Sequence, residues 1–359
     1  MTQALRYFLG SNSPQGPVSR FDQLAEGARR CWVVTGGSAR GRALVLSRAA
    51  GALGDQEPRE EILSLHSPRE PAGLLFPARG LSAAGEELPL RCPGGRERVV
   101  SLWDCLDQDC LFARREELSR LAEEEERLRR DAGGYLYAAG ALMGELASMG
   151  YSAMDREKLL GYARRLALRE FPRSRPAGRR GRESVRFLSA LTGEGPVLLR
   201  ETAALAAPRT VAIEDGWGAV SNALLEALRE LALEAGVDVV SCHCPLFPFT
   251  KLEYLLLPGL GLGFFAKNPG NAKQLESLAE RTIHAGRFSR TDFLRERRAR
   301  SGFLRKAAAG MLDRAGEVLA RAQAVRLEKD ALCHAAMDRD ALEGIVQRTA
   351  EEIQKTALG

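Results

Sequence analysis

The stretch VVTGGSARGRALVL, from Val33 to Leu46, has the order of a phosphate-binding loop: an apolar strand, a glycine-rich turn and a helix-forming segment. A working loop of this kind follows G-x-x-x-x-G-K-[ST]. Its glycines let backbone N–H groups surround the phosphates, its lysine bridges the β- and γ-phosphates, and its hydroxyl binds Mg²⁺. Gly36 and Gly41 stand at the required separation. The stretch therefore predicts an anion-binding turn at a helix N-terminus.

Two side chains of that motif are altered. Arg42 occupies the lysine position and keeps a positive charge, but its planar guanidinium does not reproduce a compact ammonium group. Ala43 occupies the hydroxyl position and has no oxygen with which to ligate a metal. We therefore predict a weakened nucleotide or phosphate site, with ATP as the candidate cofactor and with Mg²⁺ not expected. The residues of this site are Gly36, Gly37, Gly41, Arg42 and Ala43.

The chain repeats its own pattern at a spacing of about 180 residues, and the order of the matches is kept. Five collinear matches at nearly one spacing indicate two homologous halves. The matched pairs are Gly16-Pro17-Val18 with Gly195-Pro196-Val197, the strand at 31–34 with that at 210–213, Leu65-His66-Ser67-Pro68 with Cys242-His243-Cys244-Pro245, the strand ending at Pro77 with that ending at Pro258, and Ala153-Met154-Asp155-Arg156 with Ala336-Met337-Asp338-Arg339.

The second copy of the loop departs further from the motif. Aligned through Ile213, it reads DGWGAVSN from Asp215, so both motif glycines and the lysine are missing. Asp215 places negative charge towards any phosphate, and we expect no ordinary triphosphate binding there. Neither half has an aspartate that closes the later apolar strand to complete a Mg²⁺ site. Glu86 is the nearest acid in the first half, and an exposed turn is its simpler interpretation.

Strands alternate with helices in each half, which predicts parallel βαβ units. A long amphipathic helix follows the strands, and a last helix begins at each Ala-Met-Asp-Arg tetrapeptide with Asp155 or Asp338 as its N-cap. The predicted fold class is α/β, with two tandem P-loop NTPase-like domains that have parallel sheets and are each followed by a helical hairpin. The predicted domains are residues 1–170 and 185–359, joined by an Arg/Pro/Gly-rich linker at 171–184.

The opening YFLGSNSPQGPVSRFDQLAEG, the loop at 36–43 and the paired AMDR helices resemble an uncharacterised bacterial family of tandem P-loop proteins, often labelled ATPases or nucleotide kinases. The likeness spans nearly the whole chain in order. It implies a histidine after the second strand of each half, at the strand end where α/β sheets bind ligands. His66 and His243 occupy these positions, either near a ligand or hydrogen-bonded to a neighbouring loop.

Composition restricts the partners and the compartment. Seven scattered cysteines and no apolar run near the roughly 18 residues of a membrane span predict a cytoplasmic protein that does not enter a membrane. The arginines of the linker have few aromatic neighbours, so nucleic acid is not expected as a partner. Cys242-His243-Cys244 with Cys333-His334 could provide zinc ligands, but the first half has no counterpart and we assign no metal.

Three functions follow from these patterns. The first is weak nucleotide or phosphate binding in the first half with little or no hydrolysis, since the Mg²⁺ ligand is altered. The second is a non-binding scaffold whose helical hairpins engage a protein partner. The third, which the resemblance alone implies, is an active ATPase or nucleotide kinase.

Overall fold

The computed structural model describes residues 4–24, 26, 28–54, 57–85, 97–171, 179–275 and 278–358. The stretch from 86 to 96, which includes Glu86, and residues 172–178 of the predicted linker lie outside the described residues. The elements of the first half are β1 (Leu5–Tyr7), β2 (Gly10–Ser13), β3 (Gly16–Ser19), β4 (Arg30–Thr35), α1 (Ala39–Ala52), β5 (Glu60–Leu63), β6 (Pro71–Phe76), β7 (Leu81–Ala84), β8 (Glu97–Ser101), α2 (Gln108–Ala113), α3 (Arg115–Ala153) and α4 (Arg156–Glu170).

The second half repeats the same succession of elements with small additions. These are β9 (Glu183–Arg186), β10 (Ser189–Thr192), β11 (Gly195–Leu198), α5 (Arg200–Ala206), β12 (Arg209–Glu214), α6 (Ala219–Glu234), β13 (Val239–Cys244), β14 (Phe247–Leu257), β15 (Leu262–Lys267), α7 (Ala272–Leu275), β16 (Arg281–His284), α8 (Thr291–Glu296), α9 (Arg298–Ala335) and α10 (Arg339–Leu358).

Each half forms a six-stranded sheet, and the two sheets have the same topology. The first has the order β1-β5-β6-β7-β4-β8, and the second has the matching order β9-β13-β14-β15-β12-β16. Most neighbours in each sheet are parallel, while β6 and β14 run antiparallel to both of theirs. The predicted α/β class, with two tandem halves whose sheets are mostly parallel and are followed by helices, is confirmed.

The final helix of each half packs on the other half. Leu159 and Leu166 of α4 lie in one core with Leu224 of α6, which covers the second sheet. In the same way Val346 of α10 lies in one core with Val45 of α1. The predicted helices are therefore present, but the last helix of each half joins the two halves instead of folding back on its own. The boundaries predicted for the two domains stay predictions.

The long helices α3 and α9 pack against each other in antiparallel directions. Glu125 of α3 contacts Arg326 and Lys329 near the end of α9, whereas Glu145 of α3 contacts Arg300 near its beginning. This pair crosses between the two sheets, so that α4 packs on the second half and α10 packs on the first. One face of α9 consequently lies beside both glycine-bearing loops.

The predicted N-caps are confirmed at both last helices. Asp155 Oδ1 accepts a hydrogen bond from the N–H of Lys158 at 3.0 Å, and Asp338 Oδ1 accepts one from the N–H of Ala341 at 3.0 Å. Each carboxylate satisfies a backbone donor that the first helical turn leaves unpaired. These aspartates consequently have a structural role at the start of α4 and α10.

Candidate functional site

The five predicted site residues lie together in the turn after β4 and the beginning of α1. Gly36 and Gly37 have φ values of 74° and 60°, which place both in the left-handed region that side chains disfavour. Ser38 then caps α1, since its Oγ accepts a hydrogen bond from the N–H of Gly41 at 2.9 Å. Arg42 and Ala43 follow in the first turn of the helix. The turn thus directs the first N–H groups of α1 towards a cavity.

Arg42 lines the cavity, but its guanidinium is engaged by the loop. It is buried, and its Nε donates to the carbonyl oxygen of Gly85 at 2.7 Å. Its Nη1 donates to the carbonyl oxygens of Gly36 and Gly37 at 2.9 and 3.3 Å. The guanidinium therefore ties the loop to the end of β7, a role unlike that of a lysine which reaches for phosphate. Ala43 is buried as well and presents only a methyl group.

A carboxylate from the second half occupies the N-terminus of α1. Asp330 of α9 accepts from the N–H of Ala39 through Oδ1 and from the N–H of Arg40 through Oδ2, the latter at 3.3 Å. One turn later in α9, Nδ1 of His334 lies 2.9 Å from Ser38 Oγ. A helix N-terminus carries partial positive charge and favours an anion. Asp330 therefore supplies, from within the chain, the type of charge that a bound phosphate would supply.

The cavity in front of this loop has a volume of about 610 Å³ and is lined by residues of both halves. Arg40 and Arg339 are exposed at its rim, and Arg326 borders it from α9. With Arg42 the described lining has four arginines, against two carboxylates, Glu70 and Asp330. The cavity is therefore positively charged overall, which suits a ligand that carries phosphate.

His66 lies in the lining of this cavity, in the position where the resemblance implied a ligand-proximal histidine. Nη2 of Arg129 lies 3.1 Å from both ring nitrogens. Burial is the main influence that lowers the pKa of His66, with the charges of Arg326 and Arg129 next, and the resulting pKa is about 2. The imidazole is neutral at physiological pH and cannot add positive charge to the cavity.

His243 lies apart from both loops, on β13 in the second sheet. Its Nδ1 is buried and has no hydrogen-bond partner within the described part of the chain. Burial, followed by the charge of Arg20, lowers the pKa of His243 to about 4. The neighbouring Cys242 and Cys244 are buried too, and burial raises the pKa of Cys244 to about 12. Among the described residues, no group of three or more His, Cys, Asp or Glu side chains could hold a metal ion.

The second loop also holds a carboxylate, but this one comes from the loop itself. Asp215 is buried, and its Oδ1 accepts from the N–H of Trp217 at 2.9 Å. Its Oδ2 accepts from the N–H and the hydroxyl of Ser221 at 2.8 and 3.1 Å. Gly218, with φ of 76°, turns the chain into α6. A residue of the turn itself thus engages the N–H groups of Trp217 and Ser221.

Sequence patterns did not indicate the contribution of α9 to the first loop. Asp330 and His334 lie in an ordinary charged helical run, LEKDALCH, that resembles a solvated helix face. Their roles arise only because α9 crosses to the first half. The repeat offered no signal either, because the residue of α3 that corresponds to Asp330 is Ala147, which has no carboxylate.

None of the family models, curated proteins and solved structures compared with this chain matches it. The resemblance to tandem P-loop proteins therefore stays a sequence-based expectation. In the described residues, no helix combines the length and the apolar character needed to cross a membrane.

Proposed function

We propose that this protein is a P-loop NTPase relative whose first loop binds a phosphate-bearing ligand, such as ATP, weakly and with little or no hydrolysis. The observation that carries the proposal is the contact of Asp330 with the N-terminus of α1 at the edge of an arginine-bordered cavity. A carboxylate bound in that position indicates that the N–H groups are oriented for an anion. A phosphate would use the same donors.

Three features account for weak binding without catalysis. Asp330 competes for the donors and repels an incoming phosphate. Arg42 already donates to three carbonyl oxygens, so its charge is largely committed to the loop. Ala43 cannot ligate Mg²⁺, and phosphoryl transfer in this class depends on that ion to neutralise the developing charge. We accordingly expect nucleotide binding that does not depend on Mg²⁺.

Removal of the competing carboxylate tests this proposal. Asp330→Asn keeps the shape of the side chain but removes its charge, and a charge about 4 Å from a phosphate is worth about 1–4 kcal/mol at intermediate dielectric. We expect a fluorescent ATP analogue to bind the variant about tenfold or more tightly than the wild type, with or without Mg²⁺. Asp313→Asn, an exposed change on the same helix, is the matched control and should leave the affinity unchanged.

Absence of binding by both the wild type and Asp330→Asn at millimolar nucleotide would contradict the proposal. That outcome would favour the second candidate, a scaffold that engages a protein partner. Tyr137 of α3 and Phe303 of α9 are specific observations in favour of a scaffold, because both aromatic side chains are largely exposed on the long helices. Steady, Mg²⁺-dependent phosphate release by the wild type would instead support an active ATPase.

A further inference from the structure

A second cavity, of about 560 Å³, lies at the second loop, far along α9 from the first. Its walls come from both halves. The first half contributes Met143 and Leu146 of α3, and the second half contributes Trp217, Phe247 and, from α9, Leu312. These side chains are apolar or aromatic. The volume falls within the roughly 300–1,000 Å³ of small-molecule sites, which combine apolar walls with a few convergent polar groups.

Two cations lie at the polar end of this cavity. Nζ of Lys251, on β14, lies near Gly218 beside the first turn of α6. A Cβ added to Gly218 would lie only 3.3 Å from this nitrogen. Arg305 of α9 donates to the carbonyl oxygen of Gly216 at 3.0 Å and to Ser301 Oγ at 3.1 Å. Among the described residues, neither Lys251 nor Arg305 forms a salt bridge, since no carboxylate oxygen lies within 4.0 Å of their nitrogens.

The charge of Lys251 persists at neutral pH. Burial is the largest influence and would lower its pKa, but Cys244, Glu253 and Asp215 together outweigh it and the pKa of Lys251 is raised. Asp215 is the one carboxylate among the described lining residues, and both of its oxygens accept from N–H groups of the loop. The lining therefore has two cations and one internally satisfied anion, while Glu253 acts on Lys251 from outside the lining.

We propose that this cavity binds a small hydrophobic monocarboxylate. The carboxylate lies at Lys251 beside the N-terminus of α6, and the apolar body lies along the wall formed by α3 and α9. A single carboxylate can pair with the lining cations Lys251 and Arg305 without bringing a second negative charge close to Asp215. A phosphate dianion is disfavoured, because Asp215 already occupies the N–H groups of Trp217 and Ser221 and would repel it. This site is independent of the function proposed for the first loop.

Decanoate and decanol provide matched probes, since they share an alkyl chain and differ in charge. Isothermal titration of the full chain should show decanoate binding about ten- to a hundredfold more tightly than decanol, because hydrogen bonds to charged groups are the stronger ones. Lys251→Met keeps the apolar stem and should reduce decanoate affinity to that of decanol. Lys306→Met removes an exposed lysine adjacent to Arg305 and should leave decanoate affinity unchanged.

A filling variant tests the location without removing a charge. Gly144 lines the cavity from the middle of α3, and a Cβ at this position meets no heavy atom within 4 Å. Gly144→Leu also improves helix propensity, so the fold should persist while the side chain occupies the apolar space. We expect it to abolish decanoate binding with the thermal midpoint retained.

Two results would overturn the proposal. One is equal affinity for decanoate and decanol together with no effect of Lys251→Met, which would make the cavity a neutral apolar void. The other is absence of decanoate binding to the folded wild type at about 1 mM. Neither result bears on nucleotide binding at the first loop, which Asp330→Asn tests separately.

Discussion

Glu125 of α3 is the anion at the centre of a buried charged cluster that joins the two long helices. Its carboxylate lies 2.9 Å from Arg129, 3.2 Å from Arg326 and 2.6 Å from Lys329. Only 5% of Glu125 is exposed. Glu125→Gln keeps the volume of the side chain but leaves three cations around a neutral group. We predict that this change strongly destabilises the protein.

The magnitude follows from the pKa of the carboxyl group. Burial is the largest influence and would raise it, but the hydrogen bond from Lys329 and the charges of Arg326 and Arg129 lower the pKa of Glu125 from 4.5 to about 2. A fall from 4.5 to about 2 corresponds to about 3 kcal/mol, because one pKa unit is worth about 1.4 kcal/mol. Loss of one member of a buried ion pair typically costs about 3–5 kcal/mol, which agrees. We therefore expect a loss of about 3 kcal/mol at pH 7.

The effect should depend on pH in a defined direction. The folded pKa of Glu125 lies below the unfolded value, so its contribution is complete above 4.5 and is lost as the pH falls towards 2. At pH 3.5 the difference in the free energy of unfolding between wild type and Glu125→Gln should be smaller than at pH 7 by about 1 kcal/mol. Because the variant lacks this group, its own stability changes less over that interval.

Urea unfolding followed by circular dichroism at the two pH values measures both differences. Glu124→Gln is the matched control: Glu124 precedes Glu125 on α3, and its ion pairs with Arg120 and Arg127 are long and solvent-exposed. The control should change the free energy of unfolding by no more than about 0.5 kcal/mol. A loss below about 1 kcal/mol for Glu125→Gln, or a difference that grows on acidification, would refute the reasoning.

Two further predictions concern particular side chains. Leu166→Ala in α4 should destabilise the protein by about 2–5 kcal/mol, because Leu166 is buried in the core of the second sheet. Leu168→Ala, on the exposed side of the same helix, should cost about 0.5 kcal/mol or less. Urea unfolding of the two variants compares these losses. The ring of His66 should not titrate between about pH 5 and 8, because burial holds its pKa at about 2; an NMR signal assigned through His66→Gln that shifts in this range would contradict the geometry.

The sequence was sufficient for the parts of the fold that depend on local pattern and internal similarity. The collinear repeat predicted two equivalent halves, and the sheets have the same strand order. The glycines of the first loop predicted a turn into a helix, and Gly36 and Gly37 have the positive φ that such a turn requires. Each of these signals is carried by the same residues that form the structure it predicts.

The packing partners of the last helices could not be predicted in the same way. An amphipathic pattern shows that α4 and α10 bury one face, but an apolar face does not identify the surface that covers it. The length of α3 determines which surface covers α4. Its 39 residues extend about 58 Å, and α4 therefore begins beside the second sheet. The position of Asp330 beside the first loop depends on the same long-range geometry of α9.

The two loops differ in where their carboxylates originate, and we expect this difference to separate their functions. Asp330 reaches α1 from another helix, so a rotation of its side chain can release the N–H groups of Ala39 and Arg40 while the loop keeps its shape. Asp215 is part of its own turn and holds the N–H groups of both Trp217 and Ser221, so its release would dismantle the loop. We therefore expect an external anion to replace the internal one at the first loop. At the second loop we expect an anion to bind beside the turn, where Lys251 lies.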